Sequence, residues 1–307
     1  MKCCWRSIAI RNQSIETINK QETINKQETR INKKKYLEFN INDYEHTMLG
    51  EGHYGTCYKL IMNNKEYTCK RIKFSKTIQF NREANILKNL RTTTNLPEYF
   101  NSFKSPKYNF ILYNFIEGKD LYQVLDNGFL QKKNKKQAFT VIKQITNALF
   151  ELFNNNLVHL DLKLENIILT NKNPINIKLI DLETCKKINK KKKEITHCGT
   201  MGYTSPEILI QNTYYYNTDI WSLGVILYML YTHDNFIQNI GFKNKVFCIK
   251  FFDNYNENYI KNKLIINDCY DKEIYKLLKL MLHKLHIYRI SVHGLKKHKL
   301  LYTNQED

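Results

Sequence analysis

Apolar positions along this 307-residue chain fall into two regimes. Between Tyr36 and Asn114 they come in short strand-like runs, "EHTMLGEGHYGTCYKLIM" around a glycine cluster, "KEYTCKRIKF", and later "EYFNSF" and "YNFILYNF". Runs of this length, rich in β-branched and aromatic residues and bounded by glycine or polar pairs, read as strands. Among them, "FNREANILKNL" puts Ala84, Leu87 and Leu90 on one side of a helix. Beyond Gly118 the period lengthens. Phe139, Ile142, Ile145, Leu149 and Leu152 recur at helical spacing, and so do Ile220, Leu223, Ile226, Leu227 and Leu230. Strands first and helices afterwards predict an α+β, two-lobed protein: a small sheet-rich lobe with one helix over residues 36–114 and a larger helical lobe over residues 115–307.

Residues 1–35 fit neither regime. The segment "IETINKQETINKQETRINKKK" repeats ETINKQ at Glu16 and Glu22 and holds no large apolar residue other than Ile. Such a segment cannot bury enough surface to offset its ordering entropy, so a low-complexity tail or fraying helix is expected.

Composition adjusts this picture modestly. Hydrophobic residues at 42%, with 21 Tyr and 16 Phe, are enough for a substantial core. The 48 Lys and Arg against 29 Asp and Glu give a formal charge of +19. Lysine is spread through apolar and polar segments alike, and no helix-turn-helix, zinc or RNA-binding pattern accompanies it. A basic phosphate-binding or nucleic-acid module is therefore the weaker alternative, and no specific nucleic-acid partner is expected. The 8 cysteines are scattered without a C-x-x-C pair, which fits a reducing compartment. No apolar run is long enough to span a membrane, and no secretory apolar region opens the chain. The expected location is intracellular and cytoplasmic, with nuclear import or lipid attachment at Cys3 and Cys4 as alternatives, and the expected state is a monomer.

Four clusters could carry chemistry. In "LGEGHYGTCYK", Gly50, Gly52 and Gly55 form G-x-G-x-x-G between two strand-like runs, where glycine lets backbone approach phosphate closely. A dinucleotide fingerprint would need a helix after the third glycine, and "TCYKLIM" reads as a strand. Lys70 sits in the middle of a strand, and Glu83, thirteen residues on, could clamp it. In "LVHLDLKLENIIL", between an apolar helix and an apolar strand, Asp161 could take a hydroxyl proton, Lys163 could neutralise a moving phosphoryl group and Asn166 could hold a metal. Finally, "KLIDLETC" puts Asp181 and Glu183 two places apart, so both carboxylates could face one site.

Together these residues resemble the eukaryotic-type protein kinase family, serine/threonine type, over nearly everything from Tyr36 onward. The resemblance implies a bilobal fold with a small antiparallel sheet and a helical second lobe. Gly50, Gly52 and Gly55 look like the phosphate-covering loop, and Lys70 with Glu83 like the strand-lysine to helix-glutamate pair. "HLDLKLEN" resembles H-R-D-L-K-P-E-N, which makes Asp161 the catalytic base, Lys163 its partner and Asn166 a magnesium ligand. "DLE" stands where D-F-G is expected, so Asp181 would be the other magnesium ligand. "GTMGYTSPE" looks like the end of an activation segment, with SPE for APE. Arg289 would pair with Glu207, and "DIWSLGVILYML", with Asp219 and Trp221, resembles the buried central helix. For the adenine pocket the resemblance implies Tyr113 as gatekeeper, the backbones of Asn114 and Ile116 on the adenine edge, and Asp120 on the ribose. Cys57, Thr68 and Ile168 would then lie on the ring faces. The implied cofactors are ATP and magnesium, with manganese as an alternative ion. The implied partners are proteins with Ser or Thr acceptors, because Lys163 and Thr200 match serine/threonine kinases.

Three departures modify that expectation. Leu160 replaces the arginine that gathers an activation-loop phosphate, so activity should not depend on phosphorylation at Thr196. Glu183 replaces a glycine: if that position needs a positive φ, strain should result, and its charge should raise the pKa of Asp181. A catalytically weak or inactive scaffold is the corresponding alternative. Met229 stands where strongly basophilic relatives carry an acid, although Glu165 and Asp120 could still welcome a basic residue before the acceptor.

Overall fold

A computed structural model describes residues 39–52, 55–90, 94–188, 199–237 and 245–302. The ETINKQ repeat, Cys3, Cys4 and Thr196 lie outside the described residues.

The strand-like runs form one sheet. Strands β1 (Glu45–Glu51), β2 (Gly55–Met62), β3 (Lys65–Lys73), β4 (Tyr99–Lys104) and β5 (Tyr108–Asn114) pair antiparallel in the order β1-β2-β3-β5-β4. The β2–β3 turn is tight because Asn63 and Asn64, at φ +51° and +58°, both tolerate the left-handed region that a two-residue hairpin demands. β3 is the central strand, and its alternation separates two packing faces. Tyr67 and Cys69 pack with Phe39, Tyr58, Leu60, Phe110 and Leu112 on one face. Ile72 and Ile111 lie on the other, with Phe80, Ala84 and Leu87 of helix α1 (Thr77–Asn89). Lys70, in phase with Ile72, is thereby turned toward α1. β1 is an exposed edge, and its Met48 and Leu49 contribute nothing to the core.

The second lobe is helical. Strand β6 (Lys119–Asp120) and helix α2 (Leu121–Asp126) lead into α3 (Lys135–Asn154), which buries Phe139, Ile142, Ile145, Leu149 and Leu152 along the predicted stripe. Short strands β7 (Leu157–Val158), β8 (Ile167–Lys172), β9 (Ile175–Leu179) and β10 (Lys186–Lys187) follow, then α4 (Pro206–Gln211) and α5 (Thr218–Thr232). Every residue of α5 except Met229 is buried, which makes it the axis of this lobe. Helices α6 (Lys245–Asn254), α7 (Glu257–Ile266), α8 (Lys272–Met281), α9 (Val292–Lys296) and α10 (Lys299–Tyr302) complete it. Among the described residues, no helix is long and apolar enough to cross a membrane.

The expected Glu207–Arg289 pair is present and buried. Arg289 Nη1 and Nη2 each lie 2.6 Å from a Glu207 carboxylate oxygen, and the guanidinium stacks on Trp221 of α5 at 5.2 Å. Ile72, Phe80, Leu87 and Ile111 of the small lobe belong to the same continuous apolar cluster as Ile142, Leu149, Trp221 and Leu227 of the large one. The chain crosses between the lobes at Gly118, whose φ is +151° and where a Cβ would overlap the Leu169 carbonyl.

Candidate active site

Lys70 is presented by β3 and Glu83 by the inward stripe of α1, and their side chains meet: Nζ lies 3.0 Å from both carboxylate oxygens. The same ammonium lies 3.1 Å from Asp181 Oδ1 and 2.7 Å from Glu183 Oε2. Lys70 thus joins β3, α1 and the turn after β9. Arg82, beside Glu83, donates to the Glu183 carbonyl at 2.6 Å and fastens that turn to α1.

The turn corrects two expectations. Glu183 is not in the left-handed region; Asp181 is, at φ +62°. Asp accepts that conformation at low cost because its short side chain bonds locally, so the glycine-to-glutamate exchange strains nothing. The pKa expectation also falls on the wrong residue. Burial pushes the Asp181 carboxyl up, but the Lys70 charge and hydrogen bond outweigh it and hold the group below the usual carboxylate range. Glu183 carries the upward shift, from burial first and then from the charges of Asp181 and Asp161. Burial likewise pushes Glu83 up to about 7, opposed by Lys70 and reinforced by Asp181 and Glu183. Burial works against the Lys70 ammonium, yet the Glu83, Asp181 and Glu183 carboxylates hold its pKa well above the ordinary lysine value.

The loop between β7 and β8 is anchored from below. Asp219 of α5 accepts the His159 and Leu160 amides at 2.7 and 2.9 Å. Above that anchor Asp161, Lys163 and Thr200 form a closed set. Lys163 Nζ donates to Thr200 Oγ1 at 3.1 Å, the Thr200 hydroxyl donates to Asp161 Oδ1 at 2.7 Å, and Lys163 pairs with Asp161 Oδ2 at 3.1 Å. Asn166 donates its amide to the Asp161 carbonyl at 2.8 Å, which leaves its side-chain oxygen as the available ligand atom.

One cavity of about 540 Å³ gathers these groups. Lys70, Glu83, Asp161, Lys163, Asn166, Asp181 and Thr200 line it, as do Gly52, Gly55, Cys57 and Tyr113. Gly55 is fixed by packing, since a Cβ there would overlap the Arg71 carbonyl, whereas Gly50 and Gly52 have no such neighbour. Burial pushes the Cys57 thiol up to about 11 and lifts the Tyr113 phenol well above its usual range.

The remaining candidates do not line the cavity. Gly50 is exposed in β1, opposite Cys57. Thr68 is buried in β3 between Lys59 and Tyr113 of the neighbouring strands. The Asn114 amide N–H already donates to the Glu98 carbonyl, which leaves only its C=O for a ligand edge. Ile116 is half-buried, Asp120 caps α2 by accepting from the Gln123 amide at 2.9 Å, and Ile168 sits opposite Asp120 in β8. Pro97, Ile180 and Leu182 line the cavity without having been singled out, and Leu87 had been assigned only to the helix stripe; the signal for Ile180 and Leu182 was their place beside Asp181.

Residues 44–301 match the pattern that describes the protein kinase domain. The chain belongs to the protein kinase family. It is 30% identical over 204 residues to an Aurora kinase of Yarrowia lipolytica, covering 63% of this chain and 53% of that protein. It is 31% identical over 204 residues to a probable cell cycle serine/threonine-protein kinase, a CDC5 homolog, of Encephalitozoon cuniculi, covering 63% and 42%. Over 186 residues it is 28% identical to the serine/threonine-protein kinase pakF of Dictyostelium discoideum, covering 58% and 15%. The chain spans about half or less of the length of these relatives.

Within the kinase domain, Leu160 is buried with Val158, Ile188, Ile208 and Tyr214 at φ +70°. Arg82, Lys186 and Lys187 instead line a neighbouring cavity of about 890 Å³. Among the described residues, no three His, Cys, Asp or Glu side chains could together hold a metal. Asp181 and Asn166 both bring side-chain oxygens to the lining of the cavity.

Proposed function

We propose that the protein is an ATP- and magnesium-dependent serine/threonine protein kinase. The observation that carries this reading is the closed Asp161–Thr200–Lys163 set facing the Lys70–Glu83 pair across one cavity. Asp161 aligns the acceptor hydroxyl and receives its proton, while Lys163 stands ready to balance charge on the moving phosphoryl group. Lys70, held by Glu83, orients the nucleotide phosphates beneath the loop of Gly50, Gly52 and Gly55. Asn166 and Asp181 would hold magnesium, or manganese, which when bound neutralises phosphate charge. Positioning and charge balance supply most of the acceleration in such a site.

A nucleotide-binding scaffold without transfer is the second reading, favoured by the contact of Glu183 with Lys70. The intact Asp161 set and the kinase names of the relatives support transfer over it. The test is phosphorylation of a generic Ser/Thr substrate with labelled ATP and magnesium. Asp161→Asn should keep nucleotide binding nearly intact and lower turnover about a hundredfold or more. A wild-type protein that binds ATP and transfers nothing establishes the scaffold reading.

A further inference from the structure

An ammonium group has three N–H donors. Those of Lys70 face the carboxylates of Glu83, Asp181 and Glu183, and the Glu183 contact at 2.7 Å is the shortest of them. A phosphate that uses Lys70 must therefore displace a carboxylate. Glu83 is buried at 3% exposure on α1, and Asp181 is set by its left-handed backbone. Glu183 is held by its carbonyl to Arg82, but its longer side chain can swing without moving the backbone. The displaced carboxylate would stay in the cavity, whose lining among the described residues carries Glu83, Asp161, Glu165, Asp181 and Glu183 against Lys70 and Lys163. That lining repels a bare polyphosphate, and a divalent cation on the phosphates removes the repulsion.

We propose that Glu183 is a selectivity residue that competes for Lys70 and makes the cleft discriminate metal-loaded nucleotide from free nucleotide. The inference rests on the kinase reading of the cavity. It predicts that the wild-type protein binds ATP much more weakly in chelator than in saturating magnesium. Glu183→Gln, which keeps the shape and removes the charge, should shrink that ratio of dissociation constants about tenfold, chiefly by tightening metal-free binding. Glu183→Gly is the second variant and should act in the same direction. Calorimetric titration of ATP into each protein, at one pH and ionic strength and with melting temperatures checked, measures the effect.

A ratio unchanged in both variants overturns the proposal. So does an equal change in both dissociation constants, which would mark a merely structural role. Equal wild-type affinity for the two nucleotide forms overturns it as well, without touching the kinase assignment. Wild-type protein that binds ATP in neither condition overturns this inference and the kinase reading together.

Discussion

Lys70 is buried and yet stays charged because carboxylates surround it, and the acids bear the consequence. Glu83 titrates near 7 instead of its ordinary 4.5. Between those values the folded protein binds a proton that the unfolded chain has released, so stability falls as pH rises from about 4.5 to 7. Denaturant melts of the nucleotide-free protein across that window should show a decline of up to about 3 kcal/mol, flattened in Glu83→Gln. Thr200 links Asp161 to Lys163 through one hydroxyl, and Thr200→Ala should lower kcat about 10- to 100-fold while leaving the ATP KM nearly unchanged in steady-state kinetics. Most of these residues were legible as one group because each lies in a contiguous string with its own chemistry. The Glu183 contact was only half legible. An i, i+2 spacing says that two acids share a face, but not that a lysine 113 residues away lies between them. Nor could it say that the left-handed backbone falls on Asp181 instead of Glu183.

Among the elements, periodicity found α1, α3 and α5 because the first two bury one consistent stripe and α5 nearly its whole surface, while the strands were read from their short β-branched and aromatic runs. It could not find β6, β7 or β10, two-residue strands too short to show a period. Asp120, which the family resemblance puts on the ribose, also caps a helix, and an acid directly before "LYQ" is itself a capping signal. Leu160 shows how a motif departure is absorbed locally: its side chain fills an apolar niche between β7 and α4. Restoring the family arginine with Leu160→Arg would bury a cation among Val158, Ile208 and Tyr214, and should destabilise the fold by about 3 kcal/mol or more in denaturant melts. Gly118→Ala places a Cβ against the Leu169 carbonyl in a backbone conformation other residues avoid, and should cost about 1–3 kcal/mol by the same measurement.

At the scale of the molecule, the Glu207–Arg289 pair ties α4 to the segment before α9, 82 residues away in sequence. Arg289→Ala leaves a buried carboxylate without its partner and should cost about 3–5 kcal/mol, read as a lowered melting temperature. The two-lobe division was visible in the order of strands and helices, but the meeting of the lobes in a single apolar cluster was not, since sequence order says nothing about which faces touch. That shared interior has a consequence for how the protein comes apart. A polypeptide severed at Gly118 would be two fragments each exposing half of one oily surface, so they should reassociate on mixing and melt in a single transition.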